Sequence, residues 1–433
     1  MKALPRLIVL GVLFLLLALR TGGIARALPL SVFTPQVQLG FTEGDQWEPA
    51  IAADRYGDIY VLYPQFVYVP GCPMTCASPT MVLQVSNDRG TTWGVPRVIY
   101  PAGSTSEQRV GQIVVDPIDG RTVYASWLQN RKSDTVVAKS IDFGATWSVV
   151  VADHTNAGAH KPILVVRGSD VYVAYDHAQK IWVSASHDGG ATFTASQVNE
   201  NGKLGWALAG GGAIDPAGNV YFSWAGYEQN GAAKGAVNLF ISKSADGGQT
   251  WVNNIIDVSG APPDCSAYSC GWAFLGAQAV MSSDSAGMLY VLWNAGAVDK
   301  GPERIYFARS TDAGATWSER VDVSAAPVGV NHAFPAMVGG AAGDVRISWM
   351  DTRVGVLWNT YYRSSTDSGL TWSSEADVST FVPDVSYIQP DGFAFPFGNY
   401  YVMDIDDQGN THLIWGEGLN WFSPGSIWYA RGR

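Results

Sequence analysis

The chain has 433 residues, 47% of them hydrophobic and only 15% charged, with 48 Gly, 22 Pro, 17 Trp and 19 Tyr. That balance excludes a disordered chain and a coiled coil, and it favours many short strands joined by turns. A net charge of −11 argues against a nucleic-acid partner, because phosphate contacts need basic patches.

Lys2 and Arg6 precede an apolar run, Leu7 to Leu19, and Ala25-Arg26-Ala27 has the small-x-small form of a signal-peptidase site. The run is shorter than the roughly 20 residues of a membrane span. Residues 1–27 are therefore expected to be a signal peptide cleaved after Ala27, with an uncleaved anchor as the alternative. Residues 28–433 then form one secreted or extracytoplasmic domain with no membrane span. Removing four positive charges takes the mature chain to about −15 (−11 − 4).

Export decides the reading of the cysteines. Cys72 with Cys76 and Cys265 with Cys270 are expected to form two local disulfides. The alternative, a four-Cys zinc site, needs two loops to meet that the repeat architecture separates. No metal and no cofactor is expected.

An internal period dominates the rest of the chain. The pattern S-x-D-x-G-x-T-W/F occurs six times, at Ser86–Trp93, Ser140–Trp147, Ser186–Phe193, Ser244–Trp251, Ser310–Trp317 and Ser365–Trp372. Its aspartates are Asp88, Asp142, Asp188, Asp246, Asp312 and Asp367. Asp accepts backbone N–H bonds within a turn, Gly supplies positive φ, and the aromatic ring packs beneath. These aspartates read as structural anchors of a hairpin, not as catalytic or calcium ligands.

Three strand-like runs precede each box. The middle ones align as DIYVLY (58–63), TVYASW (122–127), DVYVAY (170–175), NVYFSW (219–224), MLYVLW (288–293) and DVRISW (344–349). A seventh, THLIWG (411–416), continues the series, and its unit stops after a third strand. A strand-like segment near Val32–Leu39 is left unpaired and can supply the missing fourth strand. The expected fold is all-β: a seven-bladed β-propeller with six box hairpins, its ring closed by an N-terminal strand. A six-bladed ring with an irregular tail is the alternative.

The S-x-D-x-G-x-T-W pattern resembles the Asp-box, or BNR, repeat of the sialidase superfamily. The resemblance covers the whole mature chain and implies a propeller whose ligands bind around the channel on the face opposite the boxes. It points to a non-sialidase member. In sialidases three Arg clamp a carboxylate, a Tyr activated by Glu is the nucleophile, and an Asp is the acid/base.

By that resemblance Tyr400 matches the nucleophile position, while Arg353 and Arg304 match clamp arginines. Glu48, Glu417 and Asp351 are rim carboxylates. Trp47-Glu48-Pro49 replaces the family's Arg-Ile-Pro, so one clamp arginine is missing. The first blade's long loop also lacks the expected Asp.

Long aromatic loops, with Trp206, Trp272, Trp358 and Trp421 as candidate ligand-binding rings, suit a sugar. The alternative is that these rings pack the loops together. His160-Lys161 and His332 begin first strands and can point into the channel. Carbohydrate recognition is the leading functional expectation. A sialidase-like glycoside hydrolase and a protein-interaction platform are the alternatives.

Overall fold

Short strands that bury their apolar residues on both faces need a sheet stacked on each side, and a ring of sheets provides it. The structure, a computed structural model, describes residues Val32–Arg433 apart from 68, 71, 73–75, 104, 157, 200–205, 230–233, 271–273 and 398–400. The expected signal peptide lies outside the described residues. Seven antiparallel sheets, one per repeat, make a seven-bladed β-propeller. In blade 2 the strands run outward from the centre as Gln108–Val115, Val123–Gln129, Asp134–Ser140 and Ser148–His154.

Blade 7 is built from both ends of the chain. Val402–Ile405, Thr411–Gly418 and Ser426–Gly432 are joined by Val37–Leu39, with Val37 opposite Tyr429 and Leu39 opposite Ile427. The N-terminal strand thus covers an otherwise open sheet edge.

The six boxes join third to fourth strands with one geometry. Each Ser Oγ donates to its Asp Oδ1 at 2.7–2.8 Å. Each Thr Oγ1 donates to Asp Oδ2 at 2.6–2.7 Å. The box glycine donates its N–H to the Ser Oγ at 2.8–3.0 Å, from a φ of 74–84° that favours glycine. The closing aromatics Trp93, Trp147, Phe193, Trp251, Trp317 and Trp372 each pack half-buried against a different core cluster.

Every second strand carries one large ring at the same register: Tyr63, Trp127, Tyr175, Trp224, Trp293, Trp349 and Trp415, each at most 1% exposed. Such rings bury about 150–250 Å² apiece and dominate the packing between blades. Buried indole N–H groups need acceptors. Trp127, Trp349 and Trp415 find theirs two residues on, at Gln129 (3.2 Å), Asp351 (3.0 Å) and Glu417 (2.8 Å). Residues i and i+2 share a strand face, which is why this pairing recurs.

The segment 381–397 contributes short strands of its own. Ile388–Gln389 pairs with Gly392–Phe393, Phe393 lies opposite Trp358, and Phe395 lies opposite Gly418. This strap packs Phe393, Phe395 and Phe397 into the core of blades 6 and 7. Both expected disulfides, Cys72–Cys76 and Cys265–Cys270, are present.

Candidate binding site at the channel mouth

Strands alternate in direction, so the innermost strands begin on the face opposite the boxes. Near that end Glu48 (φ 43°), Lys161 (φ 44°) and Phe334 (φ 52°) each stand directly before a proline. Val110 (φ 59°) holds the same place in blade 2, before Gly111. Pairing shifts register between Arg109 and Gln112, between His160 and Ile163, and between Ala333 and Ala336. These are β-bulges, which re-aim a side chain out of the strand's regular alternation.

Lys161, Gln278, Phe334 and Tyr401 line a central cavity of about 190 Å³. Lys161 Nζ donates to Gln278 Oε1 at 2.7 Å. A second cavity of about 380 Å³ shares Gln112, Val114 and Leu164 with the first and runs on to Asp404 and Ser283 nearer the box face.

Around the mouth, ionisable groups from three consecutive blades face one another. Glu48 comes from blade 1. Arg109 and Lys132 come from blade 2, and His160, Lys161 and Asp176 from blade 3. Burial raises the half-buried Glu48 carboxyl to about 7, against the opposing pull of Lys132, Lys161, Arg109 and His160. Burial lowers the Lys161 ammonium to about 8, and it lowers Lys132 too, with Glu48 opposing both shifts.

Asp176, buried and shifted upward by desolvation, sits 3.2 Å from His160 Nδ1. Arg109 is paired with Glu107 at 3.0 Å and lies 5.3 Å from the centre of the Phe66 ring. Trp47 stacks on that same ring, with centroids 4.9 Å apart, and meets Trp421 edge-on at 5.3 Å. Trp47, Phe66 and Trp421 are all half-buried. The mouth therefore combines partly exposed aromatic faces with one carboxyl raised to about 7 and one ammonium lowered to about 8. That chemistry suits a polar ligand with an apolar ring face.

The residues singled out from sequence divide sharply. Glu48, His160 and Lys161 come together here. Tyr400 and Trp272 lie outside the described residues, as does the side chain of Trp206, whose backbone opens the strand Trp206–Ile214.

Arg304 and Arg353 line neither cavity. Arg304 donates to Asp322 (2.8 Å) and to the carbonyls of Ala326 and Pro327 (both 3.0 Å). Arg353 forks onto Asp351 (2.6 and 2.9 Å), bonds Glu375 and lies 3.5 Å over the Tyr361 ring. Both guanidinium groups are thus occupied by their own blades.

Asp351 and Glu417, expected at the rim, are fully buried because each accepts an indole N–H from its own strand. Trp358, expected to face a ligand, is 1% exposed, and its Nε1 donates to Tyr268 Oη at 3.0 Å. His332, expected toward the channel, is buried against the Glu303 carbonyl (2.8 Å) and Ser324 (2.7 Å). Arg109, Lys132 and Phe66 were not apparent as site residues in the sequence. The x-Pro step at Glu48 and Lys161, repeated at one register, was the signal that could have drawn attention to the mouth.

No protein-family model and no curated protein sequence matches the chain. Solved structures similar to it include a protein of unknown function from Dyadobacter fermentans DSM 18053, with a TM-score of 0.51, 13% identity, and coverage of 93% of this chain and 99% of that one. A polysaccharide lyase of family PL25, an ulvan lyase bound to -[GlcA(1-4)Rha3S]-, gives 0.50 and 12%, covering 90% and 95%. The Hadza microbial sialidase Hz136 gives 0.46 and 14%, covering 90% and 66%. At these identities the likeness is one of fold.

Proposed function

We propose that this protein recognises an extracellular carbohydrate through the channel-mouth face of an Asp-box propeller. The observation that carries the reading is the adjacency of half-buried Trp47, Phe66 and Trp421 to the ionisable group of Glu48, Arg109, Lys132, His160 and Lys161. Aromatic faces stack on the apolar faces of sugar rings, while the charged groups meet ring substituents. That a propeller of similar fold has been solved with a saccharide supports the reading.

The 28–433 segment acts as the mature domain. Two disulfides support an extracytoplasmic location. Among the described residues no helix is long and apolar enough to cross a membrane.

A glycan panel screened against the wild-type protein and a Trp47→Ala/Trp421→Ala variant tests the proposal. Saturable binding that the double variant loses is the expected result. A folded wild-type sample that binds no saccharide contradicts it.

A glycoside hydrolase is the second reading. It is favoured by Glu48, whose carboxyl is held near 7 as a general acid requires. Turnover of a fluorogenic glycoside lost in Glu48→Gln supports it. Turnover of an α-sialoside lost in Tyr400→Phe would specify the sialidase form.

A further inference from the structure

Three nitrogen-bearing side chains from different blades share the wall of the central cavity of about 190 Å³. Gln112 stands on the innermost strand of blade 2, Lys161 on the bulge of blade 3, and Gln278 directly before the innermost strand of blade 5. Lys161 Nζ reaches from blade 3 to blade 5, where it donates to Gln278 Oε1 at 2.7 Å. Blade 4 lies between them and gives the wall Gly210, Gly211 and Gly212, which have no side chains to block that reach.

The same glycines let the innermost strands of blades 4 and 5 close together. A Cβ on Gly210 would collide with the Ala279 carbonyl oxygen, and one on Gly211 with the Met281 nitrogen. Gln278 is fixed for its contact. Its N–H donates to Asn294 Oδ1 at 2.9 Å, and its carbonyl accepts the Asn294 N–H at 3.2 Å.

Two features of the wall point to a ligand. Among the described residues that line the cavity, Lys161 carries the one charge, and no carboxylate is present. Glu48 and Asp176 act on Lys161 through space, yet neither belongs to this wall. The second feature is Gln112, which is 9% exposed and lines both cavities, while its side-chain amide bonds to no other described residue. Buried amides are nearly always hydrogen-bonded, so Gln112 offers the channel an unused donor and acceptor.

We propose that the channel binds a small monocarboxylic acid, its carboxylate held by Lys161 Nζ with the amides of Gln112 and Gln278, its apolar part against Phe334, Met281, Met337 and Met403. Hydrogen bonds from an ammonium to a carboxylate are about twice as strong as neutral ones, which favours the acid over its amide. Methionine side chains adapt to the shape beside them, and all four apolar residues line the cavity. A cavity of about 150 Å³ takes up benzene, so about 190 Å³ suits a ring or short chain with one acidic group. Trp47, Phe66 and Trp421 do not line this cavity, and the inference does not rest on carbohydrate recognition.

The test is isothermal titration of the whole protein at pH 6.5 with benzoate, hexanoate, acetate and the uncharged match benzamide. Benzoate or hexanoate should bind once per chain, more tightly than acetate, which leaves most of the cavity unfilled. Benzamide should bind about tenfold more weakly than benzoate, the usual loss with a charge-assisted hydrogen bond. Lys161→Met is similar in length and uncharged, and it should abolish the preference for the acid. Gln112→Leu is similar in size and keeps the lysine, and it should weaken benzoate by about tenfold. If Lys161→Met does not fold, Gln112→Leu and the benzamide comparison carry the test.

Equal affinity of wild type for benzoate and benzamide overturns the carboxylate site. So does benzoate binding that Gln112→Leu and Lys161→Met leave unchanged, and so does folded wild type that takes up none of the acids. A saccharide bound by protein that binds no acid would retire this inference and leave carbohydrate recognition standing.

Discussion

Leu39, on the strand that enters from the amino terminus, lies opposite Ile427 on the last strand, and both are buried. The ring is therefore held shut by contacts between the two ends of the chain. Leu39→Ala should cost about 2–5 kcal/mol, the usual range for emptying a buried leucine site. Deleting residues 32–39 should expose the edge of Ser426–Gly432 and promote self-association. Denaturant unfolding and size-exclusion chromatography check the two expectations in turn.

The box turns should behave as equivalent but independent anchors. The Thr146 hydroxyl and amide hold the Asp142 carboxyl down to about 2, and Thr316 does the same for Asp312. A carboxylate lowered on folding stabilises the fold above its ordinary range, and that contribution is lost as pH falls toward 2. Asp142→Ala and Asp312→Ala should each lower Tm and soften the acid transition. The double variant should lose the sum, because the sites sit in different blades. Thermal melts from pH 2 to 7 measure all three.

Trp358 separates packing from recognition. At 1% exposure and bonded to Tyr268, it belongs to the core beneath the strap of blades 6 and 7. Trp358→Ala should cost about 3–5 kcal/mol of stability. Any ligand affinity retained by the folded fraction should be unchanged. Trp421→Ala, at a half-buried ring, should do the reverse, with a small stability loss and a clear affinity loss. Unfolding and binding measured on the same two variants decide the assignment.

Glu417 sets an alkaline limit on stability. Burial raises its carboxyl to about 8, only partly offset by hydrogen bonds from Trp415 and Gln36. In the unfolded chain it ionises in the ordinary range, so its contribution is complete at acid pH and is lost as pH climbs toward 8. Glu417→Gln keeps an acceptor for the Trp415 indole and removes the charge. It should raise Tm relative to wild type at pH 9 and change it little at pH 5, as calorimetry at the two pH values would show.

The ring and its closure were legible in the sequence because the box is local chemistry. Ser, Asp, Gly and Thr satisfy one another within eight residues, so the pattern survives in the letters. The unpaired segment near Val32–Leu39 could be placed by counting strands. The mouth was less legible. Glu48 and Lys161 could be named, but Lys132 and Arg109 reach them from another blade, and no spacing along the chain encodes that approach.

The rim carboxylates show the same limit from the other side. Whether Asp351 and Glu417 face solvent or an indole depends on strand register, and the Trp two residues earlier turns both inward. The residues of the 381–397 strap look like loop until Trp358 and Gly418 supply their pairing partners.

The most direct test of carbohydrate recognition at the mouth is one comparison of affinities. The oligosaccharide that binds best in the panel is titrated into wild type, Lys132→Met, and Arg121→Ala, whose side chain lies over Phe143 on the box face. Tenfold or greater weakening in Lys132→Met, with Arg121→Ala matching wild type, is the expected result. Equal affinity in all three, or weakening only in Arg121→Ala, would place recognition elsewhere and contradict the assignment of the channel mouth.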